Sequence, residues 1–218
     1  MEQVLIAFDN DNQTEAHSFF EDCADDIKQH CIDCGHQYTP ISPPYLVENR
    51  VIPLMKSHSI CMLAAHGYAD GIHNQECVDV VSTRTANYNF SNKIFYAVSC
   101  RCGINLCPEL KRIGLKLFVG YDDTLYIQES NELFRESALS GLKSLLNGDS
   151  IDEAKKKIVM FYAAETEIQP ELMAHLKSKL PTYMIPSKYI YLKDMPLNAN
   201  GKVHRTKLKE IYEQMTNK

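Results

Sequence analysis

The stretch "HSICMLAAHGYADG", residues 58–71, is apolar from Ile60 to Ala65 and then breaks at a histidine, a glycine and a polar turn. Six apolar residues closed by turn-forming ones have the profile of a strand buried on both faces. "KIFYAVSC" (93–100) repeats the pattern and ends on a cysteine, while "QVLIAF" (3–8) and "GLKLFVGYDD" (114–123) supply two more runs of the kind.

Between these runs the period changes. Ala16, Phe19, Phe20, Cys23, Ile27 and Cys31 recur at three- and four-residue steps with acids between them, so residues 14–33 form an amphipathic helix stopped by Gly35. Residues 108–112 make a short helix between the last two strands. "ESNELFRESALSGLKSLLNG" (129–148) is a longer one, with Leu133, Phe134, Ala138, Leu142, Leu145 and Leu146 on one side and Asn147-Gly148 at its end. Strands alternating with helices imply parallel pairing, right-handed crossovers and an α/β fold, a mostly parallel sheet with helices on both faces.

In such sheets functional groups gather beyond the carboxyl ends of the strands, where His66 and Cys100 both fall. The 34-position interval from one to the other allows one surface excursion between adjacent strands, so the two side chains can face each other.

From Ile158 the text changes character. "IVMFYA" (158–163) and "SKYIYL" (187–192) are strand-like, "QPELMAHLKSKL" (169–180) and "HRTKLKEIYEQM" (204–215) helical, and three lysines at 155–157 mark a solvated junction. Two modules are expected, residues 1–157 and 158–218, the second a small α+β subdomain.

The 218 residues are 44% hydrophobic and 23% charged, the composition of a folded globular chain. A net charge of −5 provides no general basic field, which sets nucleic acid aside as a partner. No cationic leader opens the sequence, and no run reaches the roughly 18 apolar residues of a membrane span. A cytoplasmic protein with no membrane partner is expected. Its eight cysteines would then be reduced, serving packing, metal binding or catalysis. Cys31, Cys34 and His36, or Cys100, Cys102 and Cys107, are the sets to consider for zinc. Neither supplies the paired knuckles of a structural site, and no metal is expected.

"LAAHGYADG" and "IFYAVSCRCG" together resemble the caspase-like cysteine peptidases, the group of caspases, gingipains and legumains, over about residues 1–155. The resemblance implies Cys100 as nucleophile, His66 as acid, and the N–H groups of Gly67 and Cys100 as oxyanion donors. It implies a peptide or protein substrate and no cofactor. Two departures stand out. Caspases read Q-A-C-R-G, whereas "VSCRCG" places Cys102 before Gly103; and Val98 stands where relatives that cut after basic residues often have an acid. Asp70, Asp122 and Asp123 are alternative sources of that charge, and the sequence does not choose among them.

"LPTYMIPSKYIYLKDMPLNANGKVHRTKL" (180–208) is similar, in order and spacing, to the end of the adenylation domains of nonribosomal peptide synthetases and related AMP-binding enzymes. There the lysine of N-G-K enters the active site and contacts the substrate carboxylate and the nucleotide, a role that maps onto Lys202. A mobile point charge on a loop hinged at Asn200-Gly201 suits that task. His204 replaces the motif's aspartate. The large ATP-binding lobe has no counterpart among these residues, so ATP would be used only with a partner that carries it, a truncated adenylation protein, with a carrier protein as a further partner. Two functions follow: a caspase-like peptidase carrying an adenylation-type fragment, or a synthetase accessory subunit that lends Lys202 in trans from a non-catalytic scaffold.

Overall fold

The computed structural model describes residues 1–13, 16–85, 88–125, 132–156, 159–164, 166–179, 188–198 and 203–216. The chain divides into two compact units, Met1–Ala154 and Lys155–Lys218.

In the first unit the order is β1 (Gln3–Phe8), α1 (His17–Cys34), β2 (Gln37–Ile41), α2 (Glu48–Ser57), β3 (Ile60–Ala64), β4 (His66–Tyr68), β5 (Gly71–His73), β6 (Asp79–Ser82), β7 (Ile94–Val98), α3 (Leu106–Arg112), β8 (Leu117–Val119) and α4 (Glu132–Leu146). Helix α5 (Ile151–Lys156) follows across the division. The main sheet runs β2-β1-β3-β7-β8 with every pair parallel. Strands β4, β5 and β6 form a separate antiparallel sheet inserted between β3 and β7.

The continuous apolar runs are explained by burial on both faces. Alternate residues Val4, Ile6, Phe8, Ile60, Met62, Ala64, Tyr96 and Val98 pack under α1 and α4 with Phe20, Ile27, Leu139 and Leu142. Their neighbours Leu5, Ala7, Cys61, Leu63, Phe95 and Ala97 face α2, α3 and the small sheet with Ile52, Met55, Val81, Leu106 and Phe118. The Tyr96 hydroxyl donates to the Ala138 carbonyl at 2.5 Å and ties β7 to α4. Arg135 of α4 pairs with Asp22 at 2.9 Å and Asp26 at 3.0 Å on α1. Helix α1 stops at Gly35, whose φ of 72° closes the helix with the His36 N–H on the Cys31 carbonyl at 2.8 Å. The helix expected over 14–33 begins at His17; residues 14–15, and residues 129–131 of the one expected over 129–148, lie outside the described set.

The second unit holds β9 (Val159–Ala163), α6 (Gln169–Lys179), β10 (Lys188–Leu192) and α7 (Arg205–Thr216). The two strands pair in parallel, Lys188 opposite Val159 through Leu192 opposite Ala163. Among the described residues no helix is long and apolar enough to cross a membrane.

Candidate functional site

Strands β3 and β7 pair with Ile60 opposite Ile94 and Ala64 opposite Val98. The offset between partners is 34 residues all along the ladder, the same as the interval from His66 to Cys100. Each of these residues stands two places past its strand's last pair. The chain then folds so tightly that a Cβ built on Gly67 would lie 2.2 Å from the Cys100 carbonyl oxygen, 2.9 Å from its nitrogen and 2.9 Å from Ser99 Cβ. Only glycine fits there, because the obstructing atoms are mostly backbone. The structure thus brings His66, Gly67 and Cys100 into one neighbourhood.

His66 opens β4 and pairs with His73 of β5, their rings stacked 5.8 Å apart at 17°. Phe20 of α1 meets the His66 ring edge-on at 5.6 Å. Burial holds His66 below the usual histidine range, and His73 adds to this; Asp9 and a hydrogen bond with Gln75 pull the other way. The net result favours neutral imidazole near pH 7. His73 itself donates from Nδ1 to the Asn74 carbonyl at 2.8 Å.

Cys100 is partly exposed, and its Sγ accepts the Leu125 N–H at 3.3 Å. The following residue, Arg101, takes a φ of 54°. That turn is pinned by the Arg101 N–H on the Asp123 carbonyl at 3.1 Å and the Gly103 N–H on the Tyr121 carbonyl at 2.7 Å. The Asn105 and Leu106 N–H groups both donate to the Ala69 carbonyl, joining the segment after Cys100 to the segment after His66. The additional Cys102 points into the core, where its thiol donates to the Ser99 carbonyl and burial pushes it up to about 12.

The acids considered for substrate charge are spread around this rim. Asp70 accepts from Asn105 Nδ2 at 2.8 Å, and Asp123 accepts the Thr124 N–H at 2.7 Å; Asp122 is half-buried. Sequence reasoning passed over Asp79, which accepts from the Tyr68 hydroxyl at 2.8 Å and pairs with Arg84 at 2.5 Å. Among the described residues no group of three or more histidines, cysteines or acids is arranged to hold a metal. Cys31 is in the core, Cys34 donates to Asn147 Oδ1, and both His36 ring nitrogens are taken by backbone, Nδ1 by the Glu2 N–H and Nε2 by the Leu146 carbonyl.

In the second unit Lys202 lies outside the described residues, as do 180–187 of the "LPTYMIPS" stretch. The stem that carries Lys202 is visible on either side. Leu197 and Val203 form an antiparallel bridge, and the His204 N–H donates to the Pro196 carbonyl at 2.6 Å. His204 Nδ1 accepts the Lys207 N–H at 3.3 Å and so caps the first turn of α7.

No family model matches the chain. Among curated proteins it is 44% identical over 62 residues to a linear gramicidin synthase of Brevibacillus parabrevis, covering 27% of this chain and 1% of that protein. It is 44% identical over 59 residues to D-alanine–D-alanyl carrier protein ligase of Bacillus licheniformis, covering 24% and 12%. Bacitracin synthase 1 of Bacillus licheniformis is 32% identical over 117 residues, 49% of this chain and 2% of that protein. The chain therefore spans about an eighth or less of each. The two shorter matches have the size of Lys155–Lys218, and the bacitracin synthase match is longer than that unit. These likenesses support an adenylation-type, AMP-binding fragment within the chain and a link to peptide synthases.

Proposed function

We propose that the chain is an accessory component of a peptide-synthase system, its C-terminal unit acting as the end of an adenylation small lobe lent to a partner that carries the large lobe. The supporting observation is the set of unit-sized matches to a gramicidin synthase and a carrier-protein ligase. In that role Lys202 approaches the acyl carboxylate and the phosphate of ATP held by the partner, and offsets charge that builds at phosphorus. Co-purification with a truncated adenylation protein, followed by amino-acid-dependent pyrophosphate exchange, tests this. Exchange that requires the chain and disappears in Lys202→Ala is expected; exchange indifferent to Lys202 would overturn it.

A specific observation favours a second activity in the N-terminal unit, that of a caspase-like cysteine peptidase. It is the approach of Gly67 to the Cys100 backbone, with His66 and Cys100 each two residues beyond registered strand ends. In this scheme neutral His66 takes the Cys100 proton, and the sulfur attacks the peptide carbonyl carbon. The Gly67 and Cys100 N–H groups steady the oxyanion; His66 then hands its proton to the departing amine as the C–N bond breaks, and water hydrolyses the thioester. Labelling by a peptidyl acyloxymethyl ketone is expected at Cys100 and is expected to vanish in His66→Ala. Labelling that persists without His66 would remove the scheme.

A further inference from the structure

We propose that the buried Asp9 carboxylate serves His66 as a charge-balancing partner, completing a Cys100–His66–Asp9 set laid across the ends of β7, β3 and β1. The proposal rests on the peptidase scheme for the N-terminal unit. Its first support is topological. Strands β1, β3 and β7 are consecutive neighbours in the sheet, with Phe8, Ala64 and Val98 in register. Asp9 follows Phe8 directly and continues the ladder by donating its N–H to the Ala64 carbonyl at 2.9 Å. Acid, imidazole and thiol therefore come in that order across three adjacent strand ends.

The second support is the state of the carboxylate. Asp9 is 0% exposed. Its Oδ1 accepts the Asp11 N–H at 3.1 Å, while Oδ2 is buried with no hydrogen-bond partner among the described residues. A buried carboxylate oxygen without a donor is unfavourable and calls for an explanation beyond the turn it initiates. The turn needs only one acceptor oxygen, which asparagine would supply as well and serine more weakly. The charge itself acts on His66, opposing the combined effect of burial and His73. The charges that act on His66 are those of Asp9 after β1 and His73 on β5, Gln75 hydrogen-bonds to it and Phe20 meets its ring, and the titratable Cys100 thiol follows the neighbouring strand β7. A carboxylate in this place stabilises the imidazolium that exists between proton uptake from the thiol and release to the amine. It touches neither substrate nor sulfur in this role and is a positioning residue.

The experiment is a pH titration of the His66 imidazole by NMR in the full chain and in Asp9→Asn and Asp9→Ser. Both variants keep an acceptor for the Asp11 N–H and delete the charge. The His66 midpoint is expected to fall in both, and the rate of Cys100 labelling by the ketone at pH 7 is expected to drop about tenfold, less than the roughly 100-fold or more of a direct general acid–base group because His66 itself is kept. An unchanged His66 midpoint in the folded variants would overturn the assignment of Asp9. If wild-type Cys100 fails to react with the ketone, the peptidase scheme falls by itself, and the midpoint still decides whether Asp9 and His66 are coupled.

Discussion

Replacing Gly67 by alanine tests the close approach on which the N-terminal site depends. The added methyl would sit 2.2 Å from the Cys100 carbonyl oxygen and 2.9 Å from its nitrogen, against backbone that cannot swing aside as a side-chain tip would. Relief requires β4 to move away from the turn at Cys100. Overpacking of this kind costs about 1–3 kcal/mol, and contact with main chain puts Gly67→Ala at the upper end, about 3 kcal/mol. For a unit the size of Met1–Ala154 each kcal/mol lowers Tm by about 2–4 °C, so a fall of about 6–12 °C is expected in a thermal melt. Gly35→Ala is the control: its φ of 72° imposes left-handed strain of about 1–2 kcal/mol, yet nothing lies within 4 Å of the new methyl. Because a displacement near 1 Å can cost about 100-fold in a positioned reaction, Cys100 labelling should slow far more in Gly67→Ala than in Gly35→Ala. A Gly67→Ala protein that melts within about 2 °C of wild type and labels Cys100 at the wild-type rate would refute the described packing.

Three further outcomes are expected. Removal of Arg135, which bridges α4 to Asp22 and Asp26 of α1, should cost about 1 kcal/mol in urea unfolding, with the difference from wild type shrinking in about 1 M salt. Because His66 binds its proton more weakly folded than unfolded, its contribution to stability is present above its ordinary value of 6.5 and is lost as pH falls through the lower folded value; denaturation of His66→Gln at pH 5 and pH 8 should differ less than that of wild type. Iodoacetamide applied to the folded protein at pH 8 should modify Cys34, Cys77 and Cys100, detected by mass spectrometry, while burial pushes Cys23 and Cys102 up to about 12, Cys31 to about 11 and Cys61 upward as well, and leaves these four unmodified.

The parallel sheet was legible because its central strands are buried on both faces and therefore appear as unbroken apolar runs, and α1 because its stripe of Phe19, Phe20, Cys23, Ile27 and Cys31 keeps one period along the helix. Edge strand β2 escaped notice because Gln37–Ile41 is only partly buried and contains Pro40, which an edge position tolerates. Helix α2 lacks a side-chain cap and carries Pro53 in its interior, both signals against a helix; packing of Val51, Ile52 and Met55 overrides them. Strands of three or four residues such as β4, β5 and β6 are too short to show a period, so the small sheet looked like a plain excursion. Within the site, His66 and Cys100 could be read from their places after apolar runs. Asp9 could not, since "DNDN" has the composition of any polar turn; its position as the first acid after a fully buried strand was the available signal. The bond between Leu125 and the Cys100 sulfur joins segments with no common pattern and needed coordinates.

The ladder between β3 and β7 has a bearing on how such a centre can vary. What brings His66 and Cys100 to neighbouring strand ends is a count of two residues beyond each strand, while the 34-residue interval merely records how long the intervening ribbon of β4, β5 and β6 happens to be. Lengthening or trimming that ribbon at its turns would leave the encounter undisturbed and remould only its rim. Related chains are then best recognised by the tally at each strand terminus, with the spacing between the two motifs left free.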